Sequence, residues 1–188
     1  MTMLPRRAAL RALAGLPALG VIPVAPEVVH TPWPEVKAQL PGAVLCGAAP
    51  LRVLGLAVYD AQLWVAPGFG LQHLGRVALA LTLIYRRALT GAAIAQRSIQ
   101  EMHRLAPLPD ALAQRWHDEL LRRLPDVAEG DRLTGLWQPG QGAAFWANGQ
   151  ARGAVNDAEF AQRFFDIWLA PETREPALRR ALLAGARA

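Results

Sequence analysis

The 188-residue chain contains a single cysteine, Cys46, a single serine, Ser98, and a single lysine, Lys37. One cysteine excludes an intramolecular disulfide and a multi-thiolate metal site. Ser98 stands in Gln96-Arg97-Ser98-Ile99-Gln100, which is no Gly-x-Ser-x-Gly elbow, so a serine-hydrolase reading has no nucleophile. Cys46, between Leu45 and Gly47, reads as a small buried hydrophobe in a strand rather than a catalytic thiol. Lys37 lies in a proline-rich stretch, a poor place for a desolvated amine nucleophile. His103 and His117 fall on separate predicted helices, without a second histidine at metal spacing. With no phosphate loop and no dinucleotide fingerprint either, no cofactor and no metal is expected.

Charged residues are only 19% of the chain, against 53% hydrophobic. That balance excludes a disordered chain and supplies a core for one domain. The formal net charge is +5. The arginines are spread over several elements rather than gathered in a stripe, and removing Arg6, Arg7 and Arg11 leaves +2. No nucleic-acid partner is therefore expected.

Those three arginines belong to a distinct start. Residues 1–25 open with Met-Thr-Met-Leu-Pro-Arg-Arg and continue as an apolar run, the pattern of an export signal. The run is shorter than the roughly 20 residues a membrane span needs, and Arg11 interrupts it. Arg6-Arg7 loosely resembles a twin-arginine signal, and Ala18-Leu19-Gly20 offers small residues for cleavage. The expected division is a signal peptide at residues 1–25 and one domain at 26–188, working in the periplasm. No later segment is long and apolar enough to span a bilayer.

Residues 21–41 carry five prolines and read as an extended entry segment. Residues 43–49 form a short apolar strand that Pro50 punctuates. Residues 51–65 form a longer strand or a bent pair, and 76–85 another strand. Thr90 caps a helix with Ala92, Ala95, Ile99 and Met102 on one face. Pro109-Asp110 opens a second helix, on which Leu112, Trp116 and Leu120 recur. Strand signals resume over residues 131–138 and 143–147. Asn148-Gly149 is a strong hairpin signal leading into 150–155. Asn156 to Glu159 reads as a capping box before a helix that buries Phe160, Phe164, Ile167 and Trp168. A last short helix covers residues 175–183. The order β-β-β-α-α-β-β-β-α-α predicts an α+β fold, an antiparallel sheet with helices over one face.

Several segments together resemble the chalcone isomerase-like family, in its bacterial exported branch. They are Leu45-Cys46-Gly47-Ala48-Ala49-Pro50-Leu51-Arg52 leading to Val58-Tyr59-Asp60-Ala61-Gln62-Leu63-Trp64-Val65, then Gly130-Asp131-Arg132-Leu133-Thr134-Gly135, then Asn148-Gly149. Ala158-Glu159-Phe160 and Phe164-Phe165-Asp166-Ile167-Trp168-Leu169 complete the set. The resemblance covers roughly residues 40–183. It implies an open-faced β-sandwich, an antiparallel sheet covered by a layer of helices, with a ligand cleft between the two layers.

The resemblance also implies a choice. Some members close a chalcone ring by adding a phenolate to an enone; others bind fatty acids or related carboxylates without catalysis. Arg52 corresponds to the family's pocket arginine, whose planar fork suits a carboxylate. Tyr59 falls where true isomerases carry a threonine, and lipid-binding members place a tyrosine near their arginine. The two are seven residues apart, so a regular strand sets them on opposite faces. A bulge or bend at Gly55 is expected to bring them together. On the helix after Thr90-Gly91, the isomerase tyrosine, lysine and asparagine fall at Ile94, Arg97 and Glu101. Ile94 has no hydroxyl, and Glu101 puts an anion where a phenolate sits. Tyr85, at a strand end, is a further pocket candidate. Arg97 and Glu101, four apart, are also spaced for a helix-surface ion pair.

The expected function is thus a periplasmic non-enzymatic binding protein for a fatty acid or similar amphipathic carboxylate, with Arg52, Tyr59 and Tyr85 as ligand-binding residues and no catalytic residue. The alternative is an isomerase or lyase acting on an enone-like substrate, with Tyr59, Tyr85 or Glu101 as the acid or base. A structural or partner-binding protein with a collapsed cleft is a third reading.

Overall fold

The computed structural model describes residues 31–187, so the signal-peptide expectation for residues 1–25 lies outside the described residues. The described chain runs α1 (Pro34–Gln39), β1 (Val44–Val53), β2 (Leu56–Val65), β3 (Leu79–Tyr85), α2 (Gly91–Leu105), α3 (Asp110–Arg123), β4 (Arg132–Gln138), β5 (Gly142–Ala147), β6 (Gln150–Val155), α4 (Ala158–Leu169) and α5 (Pro176–Leu182). The six strands form one antiparallel sheet in sequence order, β1-β2-β3-β4-β5-β6. This is the expected α+β architecture.

Strand alternation sorts the sheet's residues between two faces. Leu63, Leu81, Leu83, Leu133 and Phe145 join the main core under the helices. That core takes Met102 from α2, Trp116 and Leu120 from α3, Phe160, Phe164 and Phe165 from α4, and Leu182 from α5. Trp64, Ala80 and Leu136 face the other way and form a smaller cluster with Val36 of α1.

α1 is a correction to the extended entry segment. Pro34 occupies the first helical turn, where its missing N–H costs nothing. Val36 is then buried on the sheet and Glu35 beside it. Glu35 receives Arg132 through Nε and Nη2 at 3.0 and 3.3 Å, and the Thr134 hydroxyl at 2.9 Å. Thr134 spends its proton on that carboxylate, so the Thr82 hydroxyl, 3.2 Å away, is the donor to Thr134. Arg132 also lies 3.9 Å over the Trp33 ring.

Pro50 is a second correction. β1 runs through it to Val53, because β1 is an edge strand and an edge tolerates a residue without an N–H. The chain reverses four residues after Pro50, at Leu54-Gly55, where φ is 50° and 81°. Asn148-Gly149 makes the other such hairpin, with φ of 49° and 83°. Helix starts follow the sequence signals. Thr90 Oγ1 accepts from the Ala93 N–H at 3.1 Å. Asp157, one residue after the expected Asn156, accepts from the Phe160 N–H at 3.0 Å. Ala92, expected on the buried face of α2, is exposed, while Ala95, Ile99 and Met102 are buried.

Candidate functional site: a cavity between sheet and helices

The two layers do not close completely. Between the helix-side face of the sheet and α2 and α4 lies a cavity of about 380 Å³, within the roughly 300–1,000 Å³ of small-molecule sites. Its walls are predominantly aliphatic and aromatic: Leu81 and Leu83 from β3, Leu133 from β4, Phe145 from β5, Ile94 from α2, and Phe164 and Trp168 from α4. Gly135 helps to shape it. A Cβ there would come within 3.3 Å of the Phe165 ring, so the missing side chain gives Phe165 its place.

The lining residues that are also exposed define the mouth: Val53 at the end of β1, Ala93 and Arg97 on α2, and Arg174 and Glu175 after α4. Three polar groups mark the interior and the rim. The Tyr59 hydroxyl accepts a hydrogen bond from Trp168 Nε1 at 2.8 Å. Its own proton meets no acceptor among the described residues. Burial pushes the Tyr59 phenol far up from its ordinary value; the Trp168 hydrogen bond and the Arg97 charge pull it back slightly, while the charges of Glu175 and Glu101 add to the rise. It is a neutral donor at any physiological pH, within the field of the rim charges. Tyr85, whose ring stands edge-on to Tyr59 at 5.9 Å, is likewise pushed far up by burial and then by its neighbour Tyr59. Its hydroxyl has no protein partner among the described residues.

Glu101 is the third group. It is 7% exposed, far more buried than a helix-surface pair requires. It holds Arg97 at 2.8 Å, Arg104 at 2.7 Å and Arg174 at 3.5 Å. One carboxylate therefore serves three guanidiniums, and Glu175 adds a second acidic charge at the rim. Arg104 and Arg174 escaped the sequence reading. Arg174 comes to Glu101 only through the chain reversal between α4 and α5, and no local pattern records that.

The expected site residues part company here. Tyr59 and Tyr85 both line the cavity. Arg52 does not join them: it is exposed, and its Nη1 donates to the Gly55 carbonyl at 3.3 Å. Gly55 is the hairpin turn rather than a bulge. A register shift does occur nearby, but it skips Val58 on β2: Leu51 pairs with Tyr59 and Arg52 with Ala57. The alternation of β1 is untouched, so Leu51 and Val53 line the cavity and Arg52 between them faces away. The three α2 positions fare differently. Ile94, Arg97 and Glu101, spaced at three and four residues, all line the cavity.

Cys46 is buried in β1, and burial raises its thiol against a weaker opposing hydrogen bond from the Gly185 amide. Trp64, Trp116 and Trp137 are core residues, and Trp168 lines the cavity. Among the described residues no cluster of three or more His, Cys, Asp or Glu could hold a metal, and no helix is long and apolar enough to cross a membrane.

No curated protein matches the chain. A fatty-acid binding protein of Arabidopsis thaliana superposes with a TM-score of 0.55 at 14% identity, over 77% of this chain and 91% of that one. At that identity the likeness is one of fold. A family model described as chalcone isomerase-like matches residues 78–184. That span runs from the strand bearing Tyr85, through the helix bearing Ile94, Arg97 and Glu101, to α5, and so carries most of the cavity wall: the chain belongs to the chalcone isomerase-like family.

Proposed function

We propose that the protein is a non-enzymatic binder of a fatty acid or similar amphipathic carboxylate, and that it works in the periplasm after export directed by residues 1–25. The observation that carries the binding reading is an apolar cavity into which two buried tyrosine hydroxyls, those of Tyr59 and Tyr85, face with protons that meet no acceptor among the described residues. Arg97 and Arg174 stand at the mouth and share the Glu101 carboxylate, with Glu175 beside them. A carboxylate at the mouth supplies the missing acceptor. In this reading Arg97 takes the place first expected of Arg52, with Tyr59 as the neutral donor beside it. The tail fills the space between Leu83, Leu133 and Phe164, each buried methylene contributing about 0.8 kcal/mol. The structural likeness to a fatty-acid binding protein supports the same reading.

The test is extraction of small molecules from the gently purified protein, identified by mass spectrometry, with titration of a fatty-acid panel into the delipidated chain. Arg97→Ala is expected to weaken binding roughly 10- to 100-fold, the contribution of a charge-assisted hydrogen bond of about 1.5–3 kcal/mol. Arg52→Ala is expected to leave affinity unchanged. An empty protein that ignores the panel overturns the proposal, and turnover of an enone by that same protein moves the reading to an isomerase or lyase. N-terminal sequencing of the chain recovered from a periplasmic fraction tests the export.

A further inference from the structure

The β1–β2 hairpin places its most apolar residues in solvent. Val53, Leu54 and Leu56 are 50%, 98% and 60% exposed. Leu54 contacts little of the fold, yet it holds a positive φ of 50°, a conformation that disfavours a bulky side chain. Two-residue hairpins of this kind ask for Asn-Gly. The chain meets that demand at Asn148-Gly149, with nearly the same φ values. At Leu54-Gly55 it accepts leucine in the same conformation. Backbone strain without a packing return points to a function for the side chain.

The tip's position narrows that function. Val53 is on the rim of the cavity. Arg52, which precedes it, and Arg87, which follows β3 at the same end of the sheet, are exposed and make no ion pair among the described residues. Arg97 and Arg174 stand on the rim, sharing Glu101. Glu175 is the opposing charge there. A two-residue turn is too narrow to supply the roughly 800 Å² per partner of a stable protein interface. It suits insertion between lipid head groups, with flanking arginines drawn to anionic ones.

We propose that the Val53–Leu56 hairpin tip docks the protein on the surface of an anionic lipid bilayer and sets the cavity mouth against it, so that an acyl ligand passes between membrane and cavity. The inference rests on the acyl-binding reading of the cavity.

The test uses the full chain with an environment-sensitive fluorophore at Leu54→Cys, and at Gln141→Cys as a control in the β4–β5 turn at the opposite end of the sheet. Cys46 is buried and does not compete for the label. Vesicles of phosphatidylcholine, with and without phosphatidylglycerol, are added, and binding of a soluble fluorescent fatty acid is measured without vesicles. The label at position 54 is expected to shift to the blue and be quenched by lipid-borne quenchers on anionic vesicles, and the label at 141 to remain in water. Leu54→Asn is expected to lower vesicle affinity roughly tenfold while raising Tm, because it restores the preferred turn residue. Arg52→Gln and Arg87→Gln are each expected to lower it about fivefold on anionic vesicles. No blue shift at position 54, or equal vesicle binding by wild type and Leu54→Asn, overturns the docking. If the soluble fatty acid still binds, the cavity reading survives that failure; if neither binds, both fall. A concentration-dependent dimer lost in Leu54→Asn, without vesicle insertion, also overturns the proposal and gives the tip to a second copy of the chain.

Discussion

At the residue scale the Tyr59 oxygen has two duties, and they separate by substitution. It accepts from Trp168 Nε1 within the fold, and its proton is available to the cavity. Tyr59→Phe leaves the indole N–H unpaired, so a loss of about 1–3 kcal/mol in stability is expected, together with weaker fatty-acid binding. Tyr85→Phe breaks no protein hydrogen bond and is expected to keep its Tm while still weakening the ligand. Thermal melts and titrations of the two variants check this; equal Tm losses would assign both hydroxyls to the fold. Glu35 gives a prediction in pH. Burial raises its carboxyl, but Arg132, its own backbone amide and Thr134 outweigh that and hold it below its ordinary 4.5. A carboxyl depressed in the folded state stabilises above the unfolded value and loses that contribution as pH falls through the folded one. Stability is therefore expected to fall on acidification below about pH 4.5, with a shallower fall in Glu35→Gln. Denaturant midpoints across that range decide it; parallel curves would mean that Glu35 titrates alike in both states.

At the element scale the legible parts are those with local causes. The hydroxyl of Thr90, the Asn148-Gly149 pair and the four-residue recurrence of Trp116 and Leu120 each act within one turn, and each is where the sequence placed it. The misread parts depend on neighbours distant in sequence. α1 forms because the sheet offers Arg132 and Thr134 nearly a hundred residues away. β1 passes through Pro50 because, among the described residues, no strand pairs on its outer side. Of the residues that line the cavity, Tyr85 was legible from its place at a strand end and Tyr59 from the family resemblance. Arg97 and Glu101 were legible as a pair four residues apart, but Arg174 was not, because only the chain reversal after α4 brings it to Glu101. Asp157 shows how much one cap can hold. It accepts from the Phe160 amide, from Trp116 Nε1 at 3.0 Å and from Arg115 at 2.8 Å. Asp157→Ala is expected to cost about 1 kcal/mol for the cap and a further 1–3 kcal/mol for the stranded indole. Because α4 carries Phe164 and Trp168 into the cavity, ligand affinity is expected to drop with it. A Tm loss with affinity unchanged would show that the cap acts on the helix end alone.

At the scale of the whole molecule, the cavity interrupts the apolar contact between sheet and helices, so a ligand that fills it completes the core. A ligand that binds only the folded state adds about 2.7 kcal/mol at a hundred times its dissociation constant. For a domain of this length that corresponds to a rise in Tm of roughly 5–10 °C. The expected rise belongs to the fatty acid and not to an alkane of the same length, because the arginines and tyrosines at the mouth have no acceptor to gain from the alkane. Ile94→Trp separates filling from recognition. Ile94 lines the cavity from α2 and is half-buried, so a larger side chain there enters the space the tail would use. That variant is expected to melt no lower than the empty wild type and to lose the fatty-acid shift. Hydrogen exchange locates the effect, with slower amides expected in α2 and α4 on binding and no change in the Glu35–Arg132 contact across the sheet. If the fatty acid slowed exchange at α1 as strongly as at α2, the ligand would be acting through the whole sheet, and the layered separation of the two cores would have to be abandoned.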